Sequence, residues 1–254
     1  MSMSNARNGW ILVVALAAAS SYAQNPPTAV EVWVEDHPRP LYEAVRQIER
    51  RFGYVVTYED VPYVYGKNIV DVTESVARSA PATGRVLEQR HGSLVVTYTP
   101  HSRSTAGQVG EVLEATVAQM NLSGEFAQFR VDTSHGAYHV VPVARPGRDG
   151  VTEPYMAPLD AMMSAQIPER PLFEVMTRLL DGINAASGKE IRPGMIPTRG
   201  GWTAVDATSE RARDIVHRTI RSVSSDLSWS VLCGVGQNDL CALNIHRVKS
   251  PEQP

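Results

Sequence analysis

Arg39-Pro40-Leu41-Tyr42-Glu43 and Arg170-Pro171-Leu172-Phe173-Glu174 are one phrase written twice. Each opens an apolar pattern of helical period: Leu41, Val45, Ile48 and Phe52 in the first copy, Leu172, Met176, Leu179 and Ile183 in the second. Leu41 to Leu172 and Phe52 to Ile183 are the same shift of 131 residues. A second pattern recurs on its own shift. Val112, Val117, Met120, Phe126 and Tyr138 stand 103 residues before Ile215, Ile220, Val223, Trp229 and Cys241. Two helices and a hairpin repeat in one order, which predicts an internal duplication. The two shifts differ by 28 residues, so the first copy carries that much extra chain between its helices.

Working outward, Val30, Val32 and Val34 alternate with Glu31, Trp33 and Glu35 and predict a strand before the first helix. Gly53 marks the end of that helix, and Tyr54 to Tyr58 is β-branched and aromatic, a second strand. Asp60 to Lys67 reads as a loop, Glu74 to Ser79 as a short helix, Pro81 to Gly84 as a turn and Ser93 to Tyr98 as a strand. The helix through Val109 and Met120 leads into strands Phe126 to Val131 and Tyr138 to Val143, joined at Ser134-His135-Gly136. Arg145 to Gly150 is rich in turn formers and is the natural boundary. The second half replays the order: an ill-defined apolar stretch (Tyr155 to Ile167), the helix Leu172 to Ile183, weaker strands at Glu190 to Ile196 and Trp202 to Val205, a helix from about Glu210, and a closing hairpin. The expected fold class is α+β: two tandem βαββαββ modules, residues 24–146 and 147–254, each with two helices packed on small mixed sheets, the first with an insertion around 60–101.

The chain has 254 residues, 43% hydrophobic and 20% charged, with a formal net charge of −3. Nothing in that balance neutralises a phosphate backbone, so no nucleic acid is expected as a partner. Arg7, the apolar run Trp10 to Ala19 and the small residues of Ser21-Tyr22-Ala23 have the layout of a cleaved signal peptide over residues 1–23. No apolar run reaches the roughly 18 residues of a membrane span, so no stable span is expected after cleavage. The mature chain is expected to be periplasmic or secreted.

Export gives meaning to the only cysteines, Cys233 and Cys241. Leu227, Trp229, Val231 and Cys233 alternate on one side of a short loop, and Cys241, Leu243 and Ile245 on the other. Both thiols face the apolar side of a hairpin and can meet across it. Closing so short a loop stabilises by roughly 2–3 kcal/mol in the chain-entropy model. Redox catalysis would call for a Cys-x-x-Cys spacing, which this is not.

Pro40-Leu41-x-x-Ala44-Val45, Phe52-Gly53-Tyr54-Val55-Val56 and the stretch Gly110 to Val143 together resemble the STN domain (secretin and TonB N-terminal short domain), also seen as the N0 domain of secretins. The second half matches more loosely, with Val175 where Ala44 stands and Asn184 where Gly53 does. The resemblance implies a non-catalytic periplasmic adaptor that docks to partner proteins, and it transfers no catalytic residues.

Other chemistry is thin. His135 and His139, four residues apart on a strand, stand about 13 Å from each other, too far for one metal. Gly182 to Lys189 is one residue too long for a phosphate loop and puts Glu190 where Ser or Thr must stand. There is no Gly-x-Ser-x-Gly elbow, and Asp132, Ser134 and His135 are too close along a hairpin to form a relay unaided. Cofactor, metal and catalytic residues are therefore assigned to none. Trp33, Tyr58, Tyr63 and Tyr65 belong to the densest aromatic group and are the candidate partner surface, since interfaces favour Tyr and Trp. The expected function is an exported non-catalytic protein-binding or assembly module of the bacterial cell envelope, with an envelope protein as partner and an exposed strand edge as the means of pairing. The alternatives are a secreted hydrolase whose acidic residues meet only in the fold, or a small-ligand-binding protein.

Overall fold

The structure, a computed structural model, describes residues 28–77, 84–124, 126–197, 201–235 and 240–249. The expected signal peptide lies outside the described residues. In the first half, β1 (Val30–His37) turns Val30, Val32 and Val34 inward and leads into α1 (Pro40–Phe52). Pro40 sits in the first turn, where its missing N–H has no partner to lose. Gly53 ends the helix at φ 60°, its N–H on the Glu49 carbonyl. Then follow β2 (Val56–Glu59), a 3-10 turn at Gly66–Asn68, β3 (Ile69–Asp71), α2 (Thr73–Ala77), β4 (Leu87–Gln89) and β5 (Gly92–Tyr98). α3 (Thr105–Leu122) is N-capped by the Ser104 hydroxyl. β6 (Gln128–Ser134) and β7 (Ala137–Pro146) are joined by His135 and Gly136, both at positive φ (48° and 72°), as a two-residue hairpin requires.

The second half contains β8 (Thr152–Pro154), β9 (Met162–Pro171), α4 (Leu172–Ser187), β10 (Ile191–Pro193), β11 (Trp202–Arg211), α5 (Ala212–Val223), β12 (Leu227–Cys233) and β13 (Cys241–Arg247). From β9 onward the order is strand, helix, two strands, helix, two strands, as it is in the first half once β3, α2 and β4 are set aside. The fold is α+β.

Several boundaries differ from the sequence reading, each for a local reason. The ill-defined stretch before α4 resolves into β9, which ends in the repeated phrase itself. α4 runs one turn past Ile183 and stops at Gly188 (φ 67°), so Gly188 and not Asn184 is the counterpart of Gly53. Asn184 instead grips the Ile191 backbone with both ends of its amide. β6 starts at Gln128 because Phe126 packs on Gly92, the tip of its ring 2.7 Å from where a Cβ would be. The expected boundary at Arg145 to Gly150 is a turn that folds β8 back onto the end of β7.

The largest sheet runs β10-β13-β12-β2-β7-β6, with β8 paired to β7. In each half the strand after the first helix lies parallel to the last strand: β2 beside β7, and β10 beside β13. The hairpins β6–β7 and β12–β13 are antiparallel. The halves meet where β12 lies parallel to β2, Ser230 beside Tyr58 and Val231 beside Glu59. Each half also has an antiparallel two-stranded ribbon, β1–β5 and β9–β11.

Partners across a ladder share a face, and neighbours along a strand do not. Val56 and Tyr58 of β2 pack into a first core with α1 and α3. Trp229 and Val231 of β12 pack into a second core with α4 and α5. Because Ser230 shares a face with Tyr58, Trp229 and Val231 point to the other side. The helices of the two halves therefore lie on opposite faces of one continuous sheet. Each half's helices overhang the joint and cover part of the other half's strands.

Candidate functional site

The overhang creates a polar seam. The strand face of the first half that turns away from its own helices carries Thr57, Glu59, Asp132, Ser134 and His139, and α5 from the second half lies over it. Arg213, in the first turn of α5, has no exposed side-chain surface. Its Nε donates to Glu59 Oε1 at 2.5 Å and its Nη1 to Asp160 Oδ1 at 2.7 Å, with Asp132 Oδ2 at 3.5 Å. Arg130 holds Asp132 from the other side at 2.9 and 3.1 Å. Burial works to lower the Arg213 pKa, but the Glu59 and Asp160 carboxylates overcome it and raise the value further. Burial raises the Glu59 carboxyl above its ordinary range, opposed by Arg213. Among the described residues, Glu59 Oε2 and Arg213 Nη2 have no hydrogen-bond partner.

Beside this ion pair, the Ser134 hydroxyl lies 2.9 Å from His139 Nε2 and donates to Asp214 Oδ1 at 2.6 Å. His139 Nδ1 meets the Thr57 hydroxyl at 2.6 Å. These are the residue types of a nucleophile relay wired differently. The carboxylate sits on the hydroxyl, and the imidazole has a hydroxyl where a relay needs a carboxylate to orient and charge it. Burial, then His217, push His139 down to about 3, so it is a weak base at neutral pH. His217 packs edge-on to His139 at 5.2 Å between ring centroids. Burial, then Arg221 and His135, lower its pKa to about 4.

A second knot ties the far end of the joint. Asp60 is buried and accepts from Arg39 Nε at 2.9 Å, from the Tyr63 hydroxyl at 3.0 Å and from the Cys233 N–H at 3.3 Å. Arg39 Nη2 donates to the Cys233 carbonyl at 2.6 Å. Cys233 and Cys241 are directly opposite in β12 and β13 and are bonded to each other, as the alternation predicts. On the other face α1 reaches the second half, with Glu49 Oε2 at 3.0 Å from His246 Nε2. The Ser228 hydroxyl donates to the Val56 carbonyl at 2.7 Å.

The aromatic group does not form one surface. Tyr58 and Tyr63 are 2% and 8% exposed, because their hydroxyls turn in on buried Asp60 and their rings fill the first core. They are removed from the candidate partner surface. Tyr65 is half-buried and Trp33 is 59% exposed, on the outer face of the β1–β5 ribbon. Sequence reasoning missed Arg39, Glu59, Asp60 and Arg213. Their one local signal is an adjacent pair of acids at the end of a β-branched strand, Glu59-Asp60, which needs two cations if it is buried. Among the described residues no group of three metal-ligating side chains converges, and no helix is long and apolar enough to cross a membrane. No protein-family model, no curated protein and no solved structure matches this chain.

Two outcomes follow from the seam. Arg213→Met alone strands a buried carboxylate and should cost about 3–5 kcal/mol by urea denaturation, whereas Arg213→Met with Glu59→Leu should recover most of that loss. If the double variant were no better than the single, the pair would not be coupled. For the histidines the folded pKa is below the unfolded value of 6.5, so their contribution is complete above pH 6.5 and is lost as pH falls toward 4. His217→Phe should therefore match the parent near pH 8 and lose less stability on acidification. A parallel pH dependence for the two proteins would contradict the lowered pKa.

Proposed function

We propose that this chain is an exported, non-catalytic protein-binding or assembly module of a bacterial cell envelope, and that its halves, residues 24–146 and 147–254, are tandem STN/N0-like modules. The observation that carries the reading is the joint between β12 and β2. One half takes up the other by adding a strand to its sheet edge and locking it with ion pairs on one side and at the end of the joint. A fold that binds its own second half in this way is suited to binding other chains by the same device. The disulfide supports an oxidising compartment, periplasmic or secreted. The order strand, helix, two strands, helix, two strands, which the first half has once β3, α2 and β4 are set aside and the second half has from β9 onward, supports this reading. The elements β3, α2 and β4 fall within the stretch proposed as an insertion around 60–101 and support that reading.

Chemical crosslinking followed by pull-down from envelope fractions is expected to recover a specific protein partner. Failure to recover one, together with hydrolysis of ester, peptide or glycoside substrates by the purified protein, would replace this reading with a secreted hydrolase.

A further inference from the structure

The edges of the sheets are treated unequally. On β1, the Trp33 N–H and C=O point away from β5, and both are taken by the Gln47 amide at 3.3 and 2.9 Å. On β6, Asn121 takes the Phe129 N–H and C=O at 2.9 and 2.8 Å. On β10, Asn184 takes the same groups of Ile191 at 2.8 and 3.0 Å, and Pro193 has no N–H to offer. β9 contains Pro168 and Pro171. β11 carries Asp206, Glu210 and Arg211, with Arg218 on the Asp206 carbonyl and Ser209 at φ 51°. Amide caps, prolines, charges and kinks are the means by which sheet edges are kept from pairing.

β5 has none of these. Gly92-Ser93-Leu94-Val95-Val96-Thr97-Tyr98 is uncharged, contains no proline and is rich in strand formers. Val95 faces Trp33 across the ribbon, and Trp33 turns its backbone outward, so Val95 does the same on the opposite edge. By alternation so do Ser93 and Thr97. Among the described residues nothing hydrogen-bonds to these backbone groups. There is also room. α1 and α3 are covered by three strands on the sheet side and by two on the ribbon side. Helices pack 8–10 Å apart and strands about 4.8 Å apart, so two strands do not span the pair.

We infer that the β5 edge is a docking site for an extended segment of another protein, which adds as a third strand to the β1–β5 ribbon. This rests on the reading of the chain as a protein-binding module. The occupant's chemistry follows from the outer face of the ribbon. Trp33 and Val95 form an exposed apolar pair, 59% and 53% accessible, and Glu31 and Glu35 stand on either side of Trp33 on the same face. The segment that fits has an apolar side chain beside Val95, small polar ones next to Ser93 and Thr97, and lysine or arginine at its ends to reach the two carboxylates. The joint between β12 and β2 is the same kind of contact made within the chain.

The test uses the mature full-length chain and a synthetic lysine–valine–threonine–valine–valine–valine–threonine–valine–lysine peptide, which puts the central valine beside Val95, the threonines beside Ser93 and Thr97 and the lysines at the ends of the same face, followed by amide NMR and hydrogen exchange. In the free protein, the Ser93, Val95 and Thr97 amides are expected to exchange fast, and those of Leu94 and Val96 slowly. The peptide should slow the first set. Val95→Pro removes an outward donor and should weaken binding at least about tenfold with the melting temperature unchanged. Val95→Lys keeps the backbone edge and should weaken binding by charge, and a peptide with glutamate in place of lysine should not bind. Protected Ser93, Val95 and Thr97 amides in the free chain, no response at about 1 mM peptide, binding mapped to another edge, or a Val95-dependent dimer of this chain would each overturn the site. A partner crosslinked in envelope fractions and still captured by both Val95 variants would leave the adaptor reading standing and remove this edge from it. Peptide binding at β5 with no partner recovered would do the reverse.

Discussion

Ser230 beside Tyr58 and Val231 beside Glu59 make a very short parallel contact, and the rest of the architecture depends on it. It sets which face of the sheet each half's helices occupy. Short parallel pairing is weak by itself, so the contact is held by what flanks it. Arg213 and Glu59 lie on one side, Arg39 and Asp60 at its end, and Ser228 on the Val56 carbonyl. Buried ion pairs add little net stability compared with apolar packing, but they are intolerant of misplacement. Here that intolerance fixes the register of two halves that could otherwise slide.

The repeated parts have taken different tasks. Arg39 and Arg170 open the same phrase, yet Arg39 bolts the joint while Arg170 pairs with Glu174 on the surface. The register of β2 on β7 and of β10 on β13 makes Glu59 the counterpart of Gly194, and the shift of 103 residues makes Arg213 the counterpart of Gly110. Neither side of the ion pair is therefore present where a further copy could be added. Pro193 stands at the position of Tyr58, whose N–H points into the joint as that of Asp60 does. The chain can join its own halves once and is blunted at the position that would continue the sheet.

Much of this was legible in the sequence. The alternation of Val30, Val32 and Val34, the helical spacing from Leu41 to Phe52, the αL glycine at position 53 and the facing cysteines are local patterns, and local patterns survive into the fold. Boundaries were missed where distant contacts decide them. α4 runs on because Asn184 is used by β10, and β6 starts late because Phe126 is used by Gly92. The seam itself was not legible. Glu59 and Arg213 are 154 residues apart, and nothing along the chain marks them as partners. The tyrosines were misplaced for the same reason: Tyr58 and Tyr63 are interior only because Asp60 is, and Asp60 is interior only because Arg39 and Cys233 meet it there.

The central claim is that the two halves are one cooperative unit held at the joint. Native-state hydrogen exchange across increasing denaturant tests it most directly, read at the Tyr58, Asp60, Val231 and Cys233 amides. If the joint holds the molecule together, these amides open only with global unfolding and merge with the slowest amides of both cores. Opening of the joint at lower free energy, while α1 and α4 remain protected, would show two independent domains in contact and would contradict the account.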